Sequence, residues 1–247
     1  MRIVVAGGTG RIGRRVVAGL RADGHEAVPL ARATGADLRT GAGVDAALAG
    51  ADVVVDVSRP STYVDEEVLR FFTTGTRTLL DAGARAGVRH HVVLSIVAVD
   101  RTDAGFFRAK RAQEELVRAA GVAWTVVRAT QFFEFVGTIA DHLTVDGAVR
   151  VPPVAFQPVA AADVAAVVAG TATGEPRRGV VDLAGPERVR LDAFLRDVLA
   201  SWRDARDVVT DPLARYFGAR LVEDSLVPRG DALRGRTTWA AFTAHDA

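Results

Sequence analysis

The sequence predicts an α/β fold of the Rossmann type, a doubly wound parallel sheet with a small C-terminal substrate-side subdomain. Three observations predict it. Short β-branched runs alternate with longer amphipathic stretches, the pattern of βαβ units whose sheet is covered on both faces. A glycine-rich segment, Gly7-Gly8-Thr9-Gly10-Arg11-Ile12-Gly13, directly follows the first apolar run and opens a helical pattern. The composition, 49% hydrophobic and 25% charged over 247 residues, belongs to a chain able to bury a sizeable core.

Taken in order, the first strand is expected over residues 3–6, the unbroken run Ile3-Val4-Val5-Ala6 stopped by glycine. A helix follows over 12–22, with apolar residues at Ile12, Val16, Val17 and Leu20 on one face. Strands over 27–30 and 53–57 precede a long helix over 65–86, which starts on Asp65-Glu66-Glu67 and stops before Gly87. A strand over 91–94, a helix over 106–119 and a strand over 124–127 complete the regular part. Beyond it the helices 163–171 and 191–202 and the strand 180–183 are expected, between short pieces cut by Pro152, Pro153, Pro158, Pro176, Pro186, Pro212 and Pro228. We therefore divide the chain into a dinucleotide-binding core, 1–130, and a part, 131–247, that completes the sheet and forms the substrate side. No linker separates them, so one body with a cleft is expected.

The formal charge is +1, and the arginines are interleaved with acids, which argues against a polyanion-binding stripe and a direct nucleic-acid partner. The absence of cysteine excludes disulfides, thiolate nucleophiles and cysteine-held metals. Five scattered histidines form no HxxH or HExxH pattern, so no metal site is expected. No apolar stretch reaches the roughly 18 residues of a membrane span, and the apolar run before the first glycines is too short for a signal peptide. A cytoplasmic location is the expectation; the oligomeric state is not readable.

The glycine segment carries the main functional expectation. Glycines permit the tight turn and let the backbone approach a pyrophosphate, whose charge then meets the free N–H groups of the helix start. Gly7, Thr9, Gly10, Arg11, Ile12 and Gly13 are therefore expected to hold a dinucleotide. An acid at the end of the second strand would accept a hydrogen bond from the ribose 2′-hydroxyl, but the sequence there reads Leu30-Ala31-Arg32. Arg32 can pair bidentately with a 2′-phosphate, which points to NADP(H) over NAD(H). The plainer reading is a solvated arginine, one of 30. Asp37-Leu38 is placed to border the adenine, and Ser58 follows the third strand at the ligand-bearing edge.

One lysine, Lys110, stands among those 30 arginines. With the glycine spacing of Gly7, Gly10 and Gly13, Ser95 at a strand end, Trp124-Thr125-Val126-Val127-Arg128, and Pro158-Val159 before Asp163-Val164-Ala165, it gives the chain its likeness. The sequence resembles the short-chain dehydrogenase/reductase superfamily, specifically its atypical, NmrA-like NAD(P)H-binding branch, over most of residues 1–185. The resemblance implies that Lys110 holds the nicotinamide ribose and that Ser95 orients a carbonyl. It also implies a proton-donating tyrosine four residues before the lysine, where this chain has Phe106. A phenyl ring has no proton to give, so the standard ketone reduction lacks its acid. The alternative for Lys110 is a solvated helix lysine paired with Glu114 at i+4.

Tyr63, Gln131, Phe132 and Glu134 are the expected substrate contacts, because they leave the third and fifth strands at the carboxyl edge. Tyr63 is one of two tyrosines and a candidate substitute acid. His90-His91 opens a strand at the opposite edge and is expected to be structural. These residues suggest an NADPH-dependent oxidoreductase for a small carbonyl, enone or quinone. Two other readings stay open: a non-catalytic NADP(H) sensor that regulates a protein partner, and a cofactor-assisted isomerase or epimerase.

Overall fold

Seven parallel strands form the central sheet of the computed structural model, which describes residues 1–102 and 104–245. The chain begins with β1 (Arg2–Ala6), α1 (Arg11–Ala22) and β2 (Glu26–Leu30). It continues through the short α2 (Val44–Leu48), β3 (Val53–Asp56), α3 (Asp65–Ala86), β4 (His90–Ile96), α4 (Gly105–Ala119) and β5 (Ala123–Ala129). Next come α5 (Val136–His142), β6 (Thr144–Val145), β7 (Ala148–Val151), β8 (Ala155–Phe156), α6 (Ala161–Thr173) and β9 (Gly179–Ala184). The last elements are β10 (Val189–Arg190), α7 (Leu191–Ser201), β11 (Val208–Thr210), β12 (Leu233–Arg234) and α8 (Trp239–His245).

The sheet order is β2-β1-β3-β4-β5-β9-β12. Chain order reverses between β1 and β3, and a doubly wound sheet opens its ligand crevice at the carboxyl ends of the strands beside such a reversal. β2 is an edge strand, which is why Pro29 is tolerated in it opposite Val5: a proline cannot donate to a second neighbour. β1 and β3 are buried on both faces and read as unbroken valine and isoleucine runs.

Helices cover both faces. On one, Val16, Val17 and Leu20 of α1 meet Val164, Ala165 and Val168 of α6 over Ile3, Val5, Val55 and Val127. On the other, α2 and α3 bury Leu48, Leu79 and Ala82 against Val4, Val54 and Leu30. Each fully buried leucine removes enough apolar surface from water to contribute about 1.5–3 kcal/mol. α3 starts on three acids and ends at Gly87, whose positive φ of 75° lets Val88 donate its N–H back to the Gly83 carbonyl. A third core joins α5, α7, β7 and the 216–226 segment around Phe156, Leu195 and Tyr216.

Each of the six strands expected from sequence is present with ends shifted by at most two residues, and the five helices lie where the periodicity puts them. The sequence reading had no place for α2, α5, α8 and β12, or for the small sheets β11-β7-β6 and β10-β8. These elements are two to seven residues long, too short to show a clear period. Residues after 130 supply β9 and β12 to the central sheet. No helix among the described residues is long and apolar enough to cross a membrane.

Candidate cofactor and substrate cleft

A cleft of about 790 Å³ opens at the β1/β3 reversal. Its floor is the turn from β1 into α1. Gly7 has φ +78°, and a Cβ there would lie 2.7 Å from the Ser58 Cα; on Gly13 it would lie 2.1 Å from the Gly7 carbonyl oxygen. The loop therefore closes on itself only without side chains, and it brings bare backbone to the cleft. Gly10 caps α1 with no side-chain hydrogen bond, and no acid stands in the first turn. The helix presents an unneutralised positive end of the kind that receives a pyrophosphate. Gly7, Thr9, Gly10, Arg11 and Ile12 all line the cleft. Gly13 does not; it is buried beneath the loop, where it permits the close packing of helix on strand.

After β2 the chain turns through a short helical piece, Arg32–Thr34, whose Thr34 hydroxyl accepts the Ala31 N–H at 2.9 Å. Arg32, Asp37, Leu38 and Arg39 then line the wall. Arg39 holds Asp37 through Nε at 3.1 Å, Nη2 at 2.7 Å and its own backbone N–H at 2.9 Å. This pairing, with Arg32 nearby, lowers the Asp37 carboxyl to about 2. Leu38 is buried, its Cβ lying 3.3 Å from where a Cβ on Gly75 would stand, so it forms an apolar shelf under the cleft.

The opposite wall comes from the turn after β3, residues 57–63, and from the first turns of α3. Glu67, Arg70, Phe71 and Thr74 face the cleft at i, i+3, i+4 and i+7, one helical stripe. Sequence reasoning missed this stripe. Its signal was the polar residues Arg70 and Thr74 recurring at i and i+4 with Glu67 one turn before them. Phe132, Glu134, Phe135 and Thr138 close the far end. Glu134 is also the acceptor for the Ala161 N–H, at 3.0 Å, and so caps α6. The half-exposed Tyr63 tilts against Phe217 at 5.9 Å, and Phe217 in turn stacks on His142 at 3.9 Å and lies beside Phe135.

Besides Gly13, three expected site residues stand away from the cleft. Ser95 is buried, with no hydrogen-bond partner for its hydroxyl among the described residues. Gln131 is buried as well, its backbone carbonyl accepting the Val159 N–H. Lys110 is 4% exposed, donates to the Leu94 carbonyl at 2.6 Å and to the Gln113 side-chain oxygen, and lies 4.4 Å from the Phe72 ring centroid. Burial lowers its ammonium to about 8, against the pull of Asp56 and Glu114. The lysine is thus neither in the cleft nor solvated. Glu114 instead meets Arg128, through two nitrogens at 2.7 and 2.9 Å, and Arg118 at 2.8 Å. Phe106 packs edge-on against Phe72 at 5.4 Å. His90 bonds the Thr125 hydroxyl, and burial lowers His91 to about 4, both at the edge remote from the cleft.

Comparison with known proteins adds a family and a set of relatives. Residues 7–175 match the family model described as NAD(P)H-binding. The (4-alkanoyl-5-oxo-2,5-dihydrofuran-3-yl)methyl phosphate reductase of Streptomyces griseus is 36% identical over 207 residues, covering 76% of this chain and 69% of the relative. Among solved structures, the NADPH-dependent quinone oxidoreductase of Escherichia coli in complex with NADPH superposes with a TM-score of 0.65 at 19% identity, covering 86% of this chain and 78% of that one. The Citrobacter sp. triphenylmethane reductase complexed with NADP(H) gives 0.63 at 17%, with 87% and 80% covered. The Thermus thermophilus UDP-glucose 4-epimerase complexed with NAD gives 0.66 at 18%, with 100% and 93% covered. At these identities the structures share the fold with this chain, and their different chemistries show that the fold alone does not select one.

Proposed function

Because this chain belongs to the NAD(P)H-binding family and resembles the atypical, NmrA-like branch of the short-chain dehydrogenase/reductase superfamily, we propose that it is an NADPH-dependent reductase of a small conjugated enone or quinone. The observation that carries the reading is the two-sided character of the cleft. One end holds bare glycine backbone, the open start of α1 and Arg11, Arg32 and Arg39; the other is walled by Phe71, Phe132, Phe135, Pro60 and Tyr63.

The residues fit a phosphorylated dinucleotide. The glycine cradle admits backbone but no Cβ, as close approach to a pyrophosphate requires. Asp37 on the wall after β2 is already held by Arg39, whereas Arg32 shows no side-chain hydrogen bond or ion pair among the described residues. A paired acid is a poor acceptor for a 2′-hydroxyl, and a free guanidinium is a good partner for a 2′-phosphate. Gly7, Thr9, Gly10, Arg11 and Ile12 would hold the pyrophosphate, Arg32 the 2′-phosphate, Asp37 and Leu38 the adenine, and Ser58 the inner face.

When bound, the cofactor supplies a hydride. The chain's own part is to orient the acceptor, exclude water and deliver a proton. Conjugation suits the hydroxyls available: hydride addition to an enone leaves an enolate, a weaker base than the alkoxide left by a simple ketone. Tyr63 carries the one phenol in the cleft; Tyr216 is buried and its hydroxyl is pushed far above the usual range. The name of the Streptomyces relative describes a ring double bond conjugated to two carbonyl groups, which supports the same class.

The test is an NADPH-oxidation screen over enones, quinones, ketones and nucleotide sugars, paired with NADPH and NADH titrations. Turnover of conjugated acceptors with saturated ketones left untouched is expected. No oxidation across the panel, together with a protein partner captured only in the presence of cofactor, replaces the enzyme with a sensor.

A further inference from the structure

We infer that Lys110 is a positioning residue which acts on the cofactor cleft through Gln113 and Asp56, by fixing the turn at Ser58. The links are four consecutive contacts. The Lys110 ammonium donates to the Gln113 side-chain oxygen; the Gln113 amide donates to Asp56 Oδ2 at 2.8 Å; and Asp56 Oδ1 accepts the Ser58 N–H at 2.9 Å. The fourth contact anchors the ammonium itself to the Leu94 carbonyl at 2.6 Å. Lys110, Gln113 and Asp56 are 4%, 1% and 2% exposed, so the two side-chain links through Gln113 are made out of water and are expensive to leave unmade.

Ser58 matters because of what it touches. Its Cα is where a Cβ on Gly7 would collide, at 2.7 Å, and the Val57 carbonyl is 2.8 Å from the same point. The 57–58 turn and the glycine loop are therefore in backbone contact across the β1/β3 reversal, and the place of that turn sets the width of the crevice. β3 ends at Asp56, so one carboxylate both terminates the strand and steers the turn that follows. The same residue receives α4 through Gln113, which ties the cleft wall to a helix that does not reach it.

The chemistry asks for lysine in a chain otherwise built with arginine. The ammonium sits under α4 between a carbonyl, an amide oxygen and the Phe72 ring, a compact pocket that a planar guanidinium with five N–H donors cannot fill without stranding some of them. The groups facing it are Leu94 of β4, Gln113 and Glu114 of α4, Phe72 of α3 and Asp56 of β3.

This inference rests on cofactor binding in the cleft and not on the identity of the substrate. The test therefore reads the NADPH dissociation constant and the hydrogen-exchange rate of the Ser58 amide in the full chain. Gln113→Leu cuts the relay and leaves Lys110 in place; Lys110→Met removes its origin. Both are expected to weaken NADPH by about tenfold, as sub-ångström misplacement of a supporting wall does, with the double variant no worse than either single one. Ser58 exchange should accelerate in each, while amides in β5 stay protected. If Lys110→Met weakens binding and Gln113→Leu leaves both binding and exchange unchanged, the lysine reaches the ribose directly and the relay is overturned. Equal NADPH affinity in all forms also overturns it. Should Gln113→Leu fail to fold, Gln113→Glu keeps an oxygen for Lys110, replaces the donor to Asp56 by a like-charged carboxylate, and is read by the same outcomes. Failure of the enone screen leaves these measurements untouched.

Discussion

Arg39 closes on Asp37 with two side-chain nitrogens and a backbone amide, leaving Arg32 on the wall after β2 with no side-chain hydrogen bond or ion pair among the described residues. Replacing Arg32 by Ala should therefore weaken NADPH by about 10- to 100-fold, the cost of a lost charge-assisted pair, and change NADH little. Fluorescence titration with both cofactors reads this directly. Equal loss for the two would show that Arg32 meets no 2′-phosphate.

The glycine loop predicts opposite outcomes for two neighbouring substitutions in α1. Gly13→Ala drives a methyl to 2.1 Å from a backbone oxygen, so something must move; a loss of about 2 kcal/mol or more and of cofactor binding is expected. At Gly19 a Cβ meets nothing within 4 Å, and Gly19→Ala should stabilise by about 0.5–1 kcal/mol through helix propensity. Denaturant midpoints separate the two.

Lys110 should titrate near 8. In the unfolded chain it holds its proton to about 10.5, so between those values the unfolded state binds more protons than the native one. The lysine's contribution to stability is thus lowest below pH 8 and rises as pH climbs toward 10.5. The stability difference between wild type and Lys110→Met should move in that sense from pH 7 to pH 10. Selective 15N-lysine labelling yields one side-chain signal, whose midpoint at an ordinary lysine value would refute the prediction.

The Glu114–Arg128 pair is 2% and 10% exposed at its side chains. Glu114→Gln leaves a buried guanidinium with Asp100 as its one remaining ion-pair partner among the described residues and should cost about 3–5 kcal/mol, visible as a lower melting temperature.

For Tyr63→Phe, kcat with an enone should fall by about tenfold or more while the NADPH dissociation constant stays constant. Unchanged turnover would assign the proton to water.

Much of this was readable in the residues. Valine and isoleucine runs placed β1 and β3, and the glycines that follow β1 placed the floor of the cleft, because steric demands on backbone leave a direct mark on residue choice. Arg32, Ser58, Tyr63, Phe132 and Glu134 all line the cleft, since each follows a strand on its carboxyl side. Depth was not readable. The spacing Phe106 to Lys110 fixes which stripe of α4 the lysine occupies but not whether that stripe faces the cleft or the sheet, and Gln113 and Asp56, 57 positions apart, have no signature as partners. The α3 stripe Glu67, Arg70, Phe71, Thr74 was hidden for the converse reason: an amphipathic helix looks the same whether its polar side meets solvent or a ligand.

The burial of the lone lysine has a practical meaning. Reagents that acylate side-chain amines have one target in this chain, and the folded molecule keeps it behind α4. Acylation of Lys110 can proceed only as fast as that helix parts from the sheet, so its rate times local opening without any introduced label.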